Sequence, residues 1–169
     1  GSKNGVLPML AASVLQRETL KFTNDPIIQD VLCMVGILES VGCCCRWDGH
    51  SLSIDASGEI YGEIPRKDVG KMRSSILLMG ALLGRTGRAV TWQPGGCSIG
   101  SRPVDLHLLA FSRLGAVVSE DEEGKIEASA KELTGSMVYF PFPSVGATEN
   151  ALLAAVLARG KTVIEGAAR

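Results

Sequence analysis

Arg73-Ser-Ser-Ile-Leu-Leu-Met-Gly-Ala-Leu-Leu-Gly-Arg-Thr-Gly-Arg-Ala-Val90 decides the fold, because its design recurs on both sides of it. Apolar residues run from Ile76 to Leu83 with almost no polar face, which marks a helix buried all round. Gly87 suits the left-handed residue that ends such a helix, and Arg88 onward reads as a strand. Upstream, Asn4 to Phe22 carries the same order of apolar helix and strand. Downstream, Glu149 to Ile164 repeats it, with Gly160 in the place of Gly87. The spacing is roughly 70 residues, a repeat length of one supersecondary unit.

Between these segments a second pattern recurs. Asp30–Val41 reads as an amphipathic helix, Gly42 ends it, and Cys43–Trp47 and Ser51–Asp55 read as strands joined at Asp48-Gly49. Pro103–Leu114, Gly115, Ala116–Glu120, a turn at Glu123-Gly124 and Lys125–Ser129 repeat it. The expectation is an α/β fold of helix–strand–helix–strand–strand units, each with a further strand before its first helix. The units fall at about 1–68, 69–140 and 141–169, the last incomplete, in a single domain spanning 1–169.

Composition narrows the function. The chain has 169 residues, 46% apolar and 21% charged, with a net charge of −1. That balance supplies no field for nucleic acid or an anionic membrane, so anion binding has to come from local placement of Lys and Arg. No apolar run reaches the roughly 18 residues of a membrane span. Five cysteines in a chain of this length point to thiols in a reducing cytoplasm rather than a disulfide framework. Cys43-Cys44-Cys45 lacks a second pair at zinc spacing, and neighbouring strand side chains point to opposite faces, so no metal and no cofactor are expected.

The sharpest chemical signal is Gln93-Pro-Gly-Gly-Cys-Ser-Ile-Gly-Ser-Arg-Pro-Val-Asp-Leu-His107. Pro94-Gly95-Gly96 fits neither helix nor central strand, so Cys97 stands on a loop. A thiol with a guanidinium such as Arg102 close by has a lowered pKa and can act as nucleophile or proton donor. Pro103 and Asp105 read as a helix start, where free backbone N–H groups hold anions and Arg102 would reinforce them. Lys3-Asn4 and Arg73 stand at the starts of two equivalent helices, a placement that opposes the helix dipole unless an anion compensates it. Ser144 or Thr148 suits the cap of the third. His107 has no partner at a catalytic spacing and reads as solvent-facing or bonded to a carboxylate.

Four stretches together resemble the UDP-N-acetylglucosamine enolpyruvyl transferases: Gly1–Pro8, Met72–Ser75, Pro94–His107 and Ser144–Asn150. The resemblance runs along the whole chain, and the cysteine loop is its most specific part. It implies an inside-out α/β barrel, with buried helices inside and sheets outside, of which this chain is most of one domain. It implies that Cys97 protonates or forms an adduct with phosphoenolpyruvate and is the target of fosfomycin. Lys3, Asn4 and Arg102 would contact that substrate, and Arg73 would support the substrates at the cleft. Arg102, Pro103, Val104, Asp105 and Leu106, with Pro143, Ser144, Val145 and Gly146, would line the UDP-N-acetylglucosamine site. Phe142 stands where the family often has Lys. The catalytic base and a further arginine would come from a second domain, so little turnover is expected from this chain alone.

Overall fold

The computed structural model describes residues 3–23, 27–69, 73–93 and 104–168, and for Lys3, Asn4, Arg73 and Ser74 the backbone alone. In chain order its elements are α1 (Lys3–Ala12), β1 (Thr19–Thr23), α2 (Gln29–Ser40), β2 (Cys44–Asp48), β3 (Ser51–Asp55), the single turn α3 (Arg66–Val69) and α4 (Leu78–Thr86). There follow β4 (Arg88–Trp92), α5 (Asp105–Arg113), β5 (Val117–Glu120), β6 (Lys125–Ser129), β7 (Met137–Tyr139), α6 (Val145–Ala155) and β8 (Val163–Glu165). Short 3₁₀ turns, Ser13–Leu15 and Arg73–Leu77, end α1 and lead into α4.

The architecture is mixed α/β with helices inside, as expected. Two antiparallel sheets have the orders β1-β3-β2 and β4-β6-β5, and β7 pairs with β8 in parallel. The expected strand before the first helix of a unit is present as β7, which lies parallel to β8. It is reduced to a single parallel bridge, Glu63 to Val90, beside β4. A strand, a buried helix and a parallel strand form a βαβ crossover, whose helix covers the sheet.

Alternation explains which sheet face turns inward. In β3, Leu52 and Ile54 are fully buried between Ser51, Ser53 and Asp55; in β6, Ile126 and Ala128 are buried between Lys125, Glu127 and Ser129. A period of two puts the apolar set on the helices and the polar set outward. On the outer face Arg88 bonds Glu127 at 2.9 Å and lies 3.6 Å from Glu63, which ties β4 to its neighbours on both sides.

The central helices pack closely because one of them carries glycines. Gly80 and Gly84 lie one turn apart on α4. A Cβ on Gly80 would overlap the backbone carbonyl of Asn150 in α6, and one on Gly84 would stand 3.3 Å from Leu15 and 3.4 Å from the Leu153 carbonyl. Ala147, Ala151 and Ala154 give α6 a matching small surface, all fully buried. Glycine within a helix costs about 0.5–1 kcal/mol relative to alanine, and here it allows backbone-to-backbone approach. An apolar groove of about 300 Å³ remains between α1 and α6, lined by Pro8, Ala12, Leu152 and Val156, with Glu149 at its side. Burial raises the pKa of that carboxyl.

Helix ends match the sequence reading in most places. Gly87 ends α4 with φ 76° and donates to the Leu83 carbonyl at 2.9 Å. Gly160 is also left-handed, yet α6 ends earlier, at Ala155, and Gly160 lies in the following loop. The ends of α2 and α5 are built alike: Cys43 N–H reaches the Leu38 carbonyl at 2.9 Å, and Ala116 N–H the Phe111 carbonyl at 3.0 Å. Gly42 and Gly115 are left-handed at these closures, with φ 108° and 94°. Their surroundings differ, since a Cβ at 42 would collide with the Glu59 carbonyl while at 115 the nearest atom is 4.0 Å away. Gly115→Ala should therefore cost only the left-handed strain, about 1–2 kcal/mol. Gly42→Ala should cost clearly more, about 3 kcal/mol, because backbone must also move. Urea unfolding of the two variants checks the ordering, and equal midpoints would contradict it.

Candidate functional site

The central helices α4 and α6 run in the same direction. Gly80 of α4 meets Asn150 of α6, and one turn further on Gly84 meets Leu153 and Ala154, together with Leu15 at the end of α1. Their starts consequently lie toward one end of the molecule. Lys3 is the first described residue of α1, Arg73 is the first described residue of the 3₁₀ turn ahead of α4, and Val145 opens α6. Parallel helices place their unpaired N–H groups and positive dipole ends together.

The start of α5 joins the same end. His107 of α5 lies against Gly146 in the first turn of α6, where a Cβ would stand 3.4 Å from its Cε1. Asp105 is the first residue of α5 and is exposed, with its carboxylate near the helix N-terminus where a negative charge is favoured. Val104 precedes it with no side-chain cap, and Leu106 is buried in a small cluster with Val138, Phe140, Ala147 and Ala151. Of the residues singled out from the sequence, Val104, Asp105, Leu106, Pro143, Ser144, Val145 and Gly146 therefore lie on two adjoining helix starts. Cys97, Arg102 and Pro103 lie outside the described residues.

Ser144 caps α6 as the sequence suggests. Its Oγ accepts from the Ala147 N–H at 3.4 Å, and its carbonyl accepts from the Thr148 hydroxyl at 2.8 Å. Thr148 Oγ1 in turn accepts from the Ala168 N–H at 3.1 Å, tying the segment after β8 back to α6. Val145 and Phe142 are exposed beside this cap. Among the described residues no group of three or more His, Cys, Asp or Glu could hold a metal ion, and no helix is long and apolar enough to cross a membrane.

His107 corrects the sequence reading. It is half-buried, and its described partner is an amide rather than a carboxylate. Its Nδ1 lies 2.8 Å from the Nδ2 of Asn150, a fully buried asparagine of α6. An amide N–H₂ only donates, so Nδ1 accepts and the ring proton sits on Nε2. Asn150 was missed as a functional residue. The available signal was one amide in an otherwise apolar helix segment, Asn150-Ala-Leu-Leu-Ala-Ala155, which a buried site tolerates only when every polar atom is bonded.

The fold and this shared end define a mixed α/β chain with adjoining helix starts at one surface. The profile of the EPSP synthase (3-phosphoshikimate 1-carboxyvinyltransferase) family matches residues 1–169, and the chain belongs to that family. A curated relative from Nitratidesulfovibrio vulgaris, a UDP-N-acetylglucosamine 1-carboxyvinyltransferase, is 44% identical over 169 residues, covering 100% of this chain and 40% of its own length. One from Carboxydothermus hydrogenoformans, UDP-N-acetylglucosamine 1-carboxyvinyltransferase 2, is 46% identical over 168 residues, covering 99% and 40%. The chain thus spans about 40% of the length of these relatives. Among solved structures, the enolpyruvyl transferase NikO from Streptomyces tendae superposes with a TM-score of 0.82 at 23% identity, covering 97% of this chain and 39% of that one. EPSP synthase from Acinetobacter baumannii gives 0.74 at 18%, covering 97% and 38%. At such identities these two structures establish the fold alone.

Burial pulls the pKa of His107 from 6.5 down to about 4. The unfolded chain then takes up a proton before the folded one does, so stability is full above pH 6.5 and falls as pH drops from there toward 4. The slope contributed approaches about 1.4 kcal/mol per pH unit. Urea unfolding at pH 7, 6 and 5 should show this loss in the natural chain and a shallower one in His107→Gln. Identical slopes would contradict the assignment.

Proposed function

We propose that this chain is the cysteine-loop portion of a UDP-N-acetylglucosamine 1-carboxyvinyltransferase, a cytoplasmic enzyme of peptidoglycan synthesis. The parent reaction adds the 3′-hydroxyl of UDP-N-acetylglucosamine to the enol carbon of phosphoenolpyruvate and then expels phosphate. Such chemistry needs a proton donor for the methylene carbon, a base for the hydroxyl and cations for the departing phosphate. Cys97 is the donor in this reading, and Lys3, Asn4 and Arg102 hold the phosphate and carboxylate. Arg73 supports the substrates, while Arg102 to Leu106 and Pro143 to Gly146 line the UDP-sugar. The base and a further arginine belong to the part of the relatives' length that this chain does not span, so the chain by itself binds substrates with little turnover.

The observation that carries the reading is the meeting of the 3₁₀ turn ahead of α4 with the first turns of α5 and α6, through Ile76, His107, Gly146 and Asn150. Like partial charges brought together there favour a multiply charged anion, which both substrates are. Likeness along this chain at 44–46% identity, over 40% of the length of relatives bearing that name, supports the same choice. The family profile is named for the shikimate enzyme, but the Pro94-Gly-Gly-Cys97 loop belongs to the UDP-sugar branch in the family resemblance, which favours UDP-N-acetylglucosamine over 3-phosphoshikimate.

Intact-mass analysis after fosfomycin treatment, with UDP-N-acetylglucosamine present, tests this directly. The expected result is one adduct, mapped to the peptide bearing Cys97 and abolished in Cys97→Ser. Calorimetric titration should show binding of UDP-N-acetylglucosamine and none of 3-phosphoshikimate. An adduct mapped to Cys44, or no adduct at all, would sink the reading.

A further inference from the structure

Ile76 and Gly80 are four residues apart, and in an uninterrupted α-helix the Gly80 N–H would bond the Ile76 carbonyl directly. Here the α-helical run begins only at Leu78, after the 3₁₀ turn Arg73–Leu77. The side-chain amide of Asn150 stands in the gap. Its Nδ2 donates to the Ile76 carbonyl at 2.7 Å, and its Oδ1 accepts from the Gly80 N–H at 2.6 Å. A side chain inserted into the hydrogen-bond ladder is a recognised cause of a helix break. The second hydrogen of Nδ2 reaches His107 Nδ1 at 2.8 Å. Three partners on three segments use both donors of the amide and its oxygen, so it has one orientation only. Gly80 is the matching half, since a Cβ there would collide with Asn150.

Two of the segments held by this amide, and the helix that carries it, begin at residues assigned to substrate above. The first described residue of the 3₁₀ turn is Arg73, α5 opens at Asp105 behind Val104, and α6 opens at Val145 behind Ser144. We propose that Asn150 is a positioning residue, which splits the helix ahead of α4 and, with His107, sets where the Arg73 turn stands relative to the starts of α5 and α6. The consequence for substrates rests on the function proposed above; the helix break does not. In the absence of the inserted amide, the Ile76 carbonyl and Gly80 N–H are left to bond each other, which joins turn and helix and moves Arg73 off the shared end.

Two measurements decide it. Backbone NMR of Asn150→Ala should show the ¹³Cα shifts of Ser74–Leu77 moving to α-helical values, and unchanged shifts in a folded variant would overturn the inference. The second compares His107→Phe, which removes the acceptor, with His107→Gln, which retains one. Fosfomycin labelling of Cys97 in the presence of UDP-N-acetylglucosamine should slow about tenfold in the first and stay within about twofold of the natural chain in the second. If a folded His107→Phe labels at the natural rate, the positioning role is wrong. If the natural chain itself fails to label, the proposed function fails, and the NMR shifts still decide whether Asn150 makes the break.

Discussion

Close contact between α4 and α6 is the constraint on which the rest depends. Gly80 and Gly84 remove side chains from one face of α4, and Ala147, Ala151 and Ala154 keep α6 slim opposite them. Two helices this close have little freedom to slide, because backbone atoms rather than flexible side chains set the separation. Their parallel direction is seen in the contacts themselves, which pair Gly80 with Asn150 and Gly84 with Leu153 and Ala154. Parallel alignment gathers like dipole ends, which is electrostatically unfavourable. Apolar burial offsets it: Leu78, Met79, Leu82 and Leu10 are fully buried, each contributing on the order of 2 kcal/mol. The core thus holds a positive concentration at one end that an anion can relieve.

The outer layer serves that core without entering the site. Each three-stranded sheet presents one apolar face inward and one charged face to solvent, so the helices are covered on their outer side. Arg85 helps to fasten the layers at the other end of α4, donating to the Gln16 carbonyl at 2.8 Å and the Ala56 carbonyl at 2.9 Å. Two charge-assisted bonds to backbone join the end of α1 to the loop after β3, near the last turn of α4.

Local signals were read well from the chain, and long-range ones were not. Gly42, Gly49, Gly87, Gly115 and Gly124 all proved left-handed, and the helices and hairpins between them fall within a few residues of their expected limits. Their information lies in neighbouring residues, where periodicity and turn chemistry act. The 3₁₀ break at Arg73–Leu77 was invisible because its cause, Asn150, sits on another helix. His107 was misjudged for the same reason. The helix starts that form the candidate site were legible one by one, and only the parallel packing brings them together.

Burial sorts the described cysteines by the same physics. Cys43 is buried and its thiol is pushed up to about 11; Cys45 is half-buried and pushed up to about 12, with burial the main cause in both. At neutral pH neither supplies a useful thiolate fraction, so the run Cys43–Cys45 is inert packing at two of its three positions. Cys44 points the other way and is exposed. It is therefore a fair internal competitor for Cys97. A reagent selecting by access alone would modify Cys44, whereas one that needs a neighbouring anion site would react elsewhere. The place of modification, rather than its extent, reports whether positive charge gathered by the helix starts acts on a thiol.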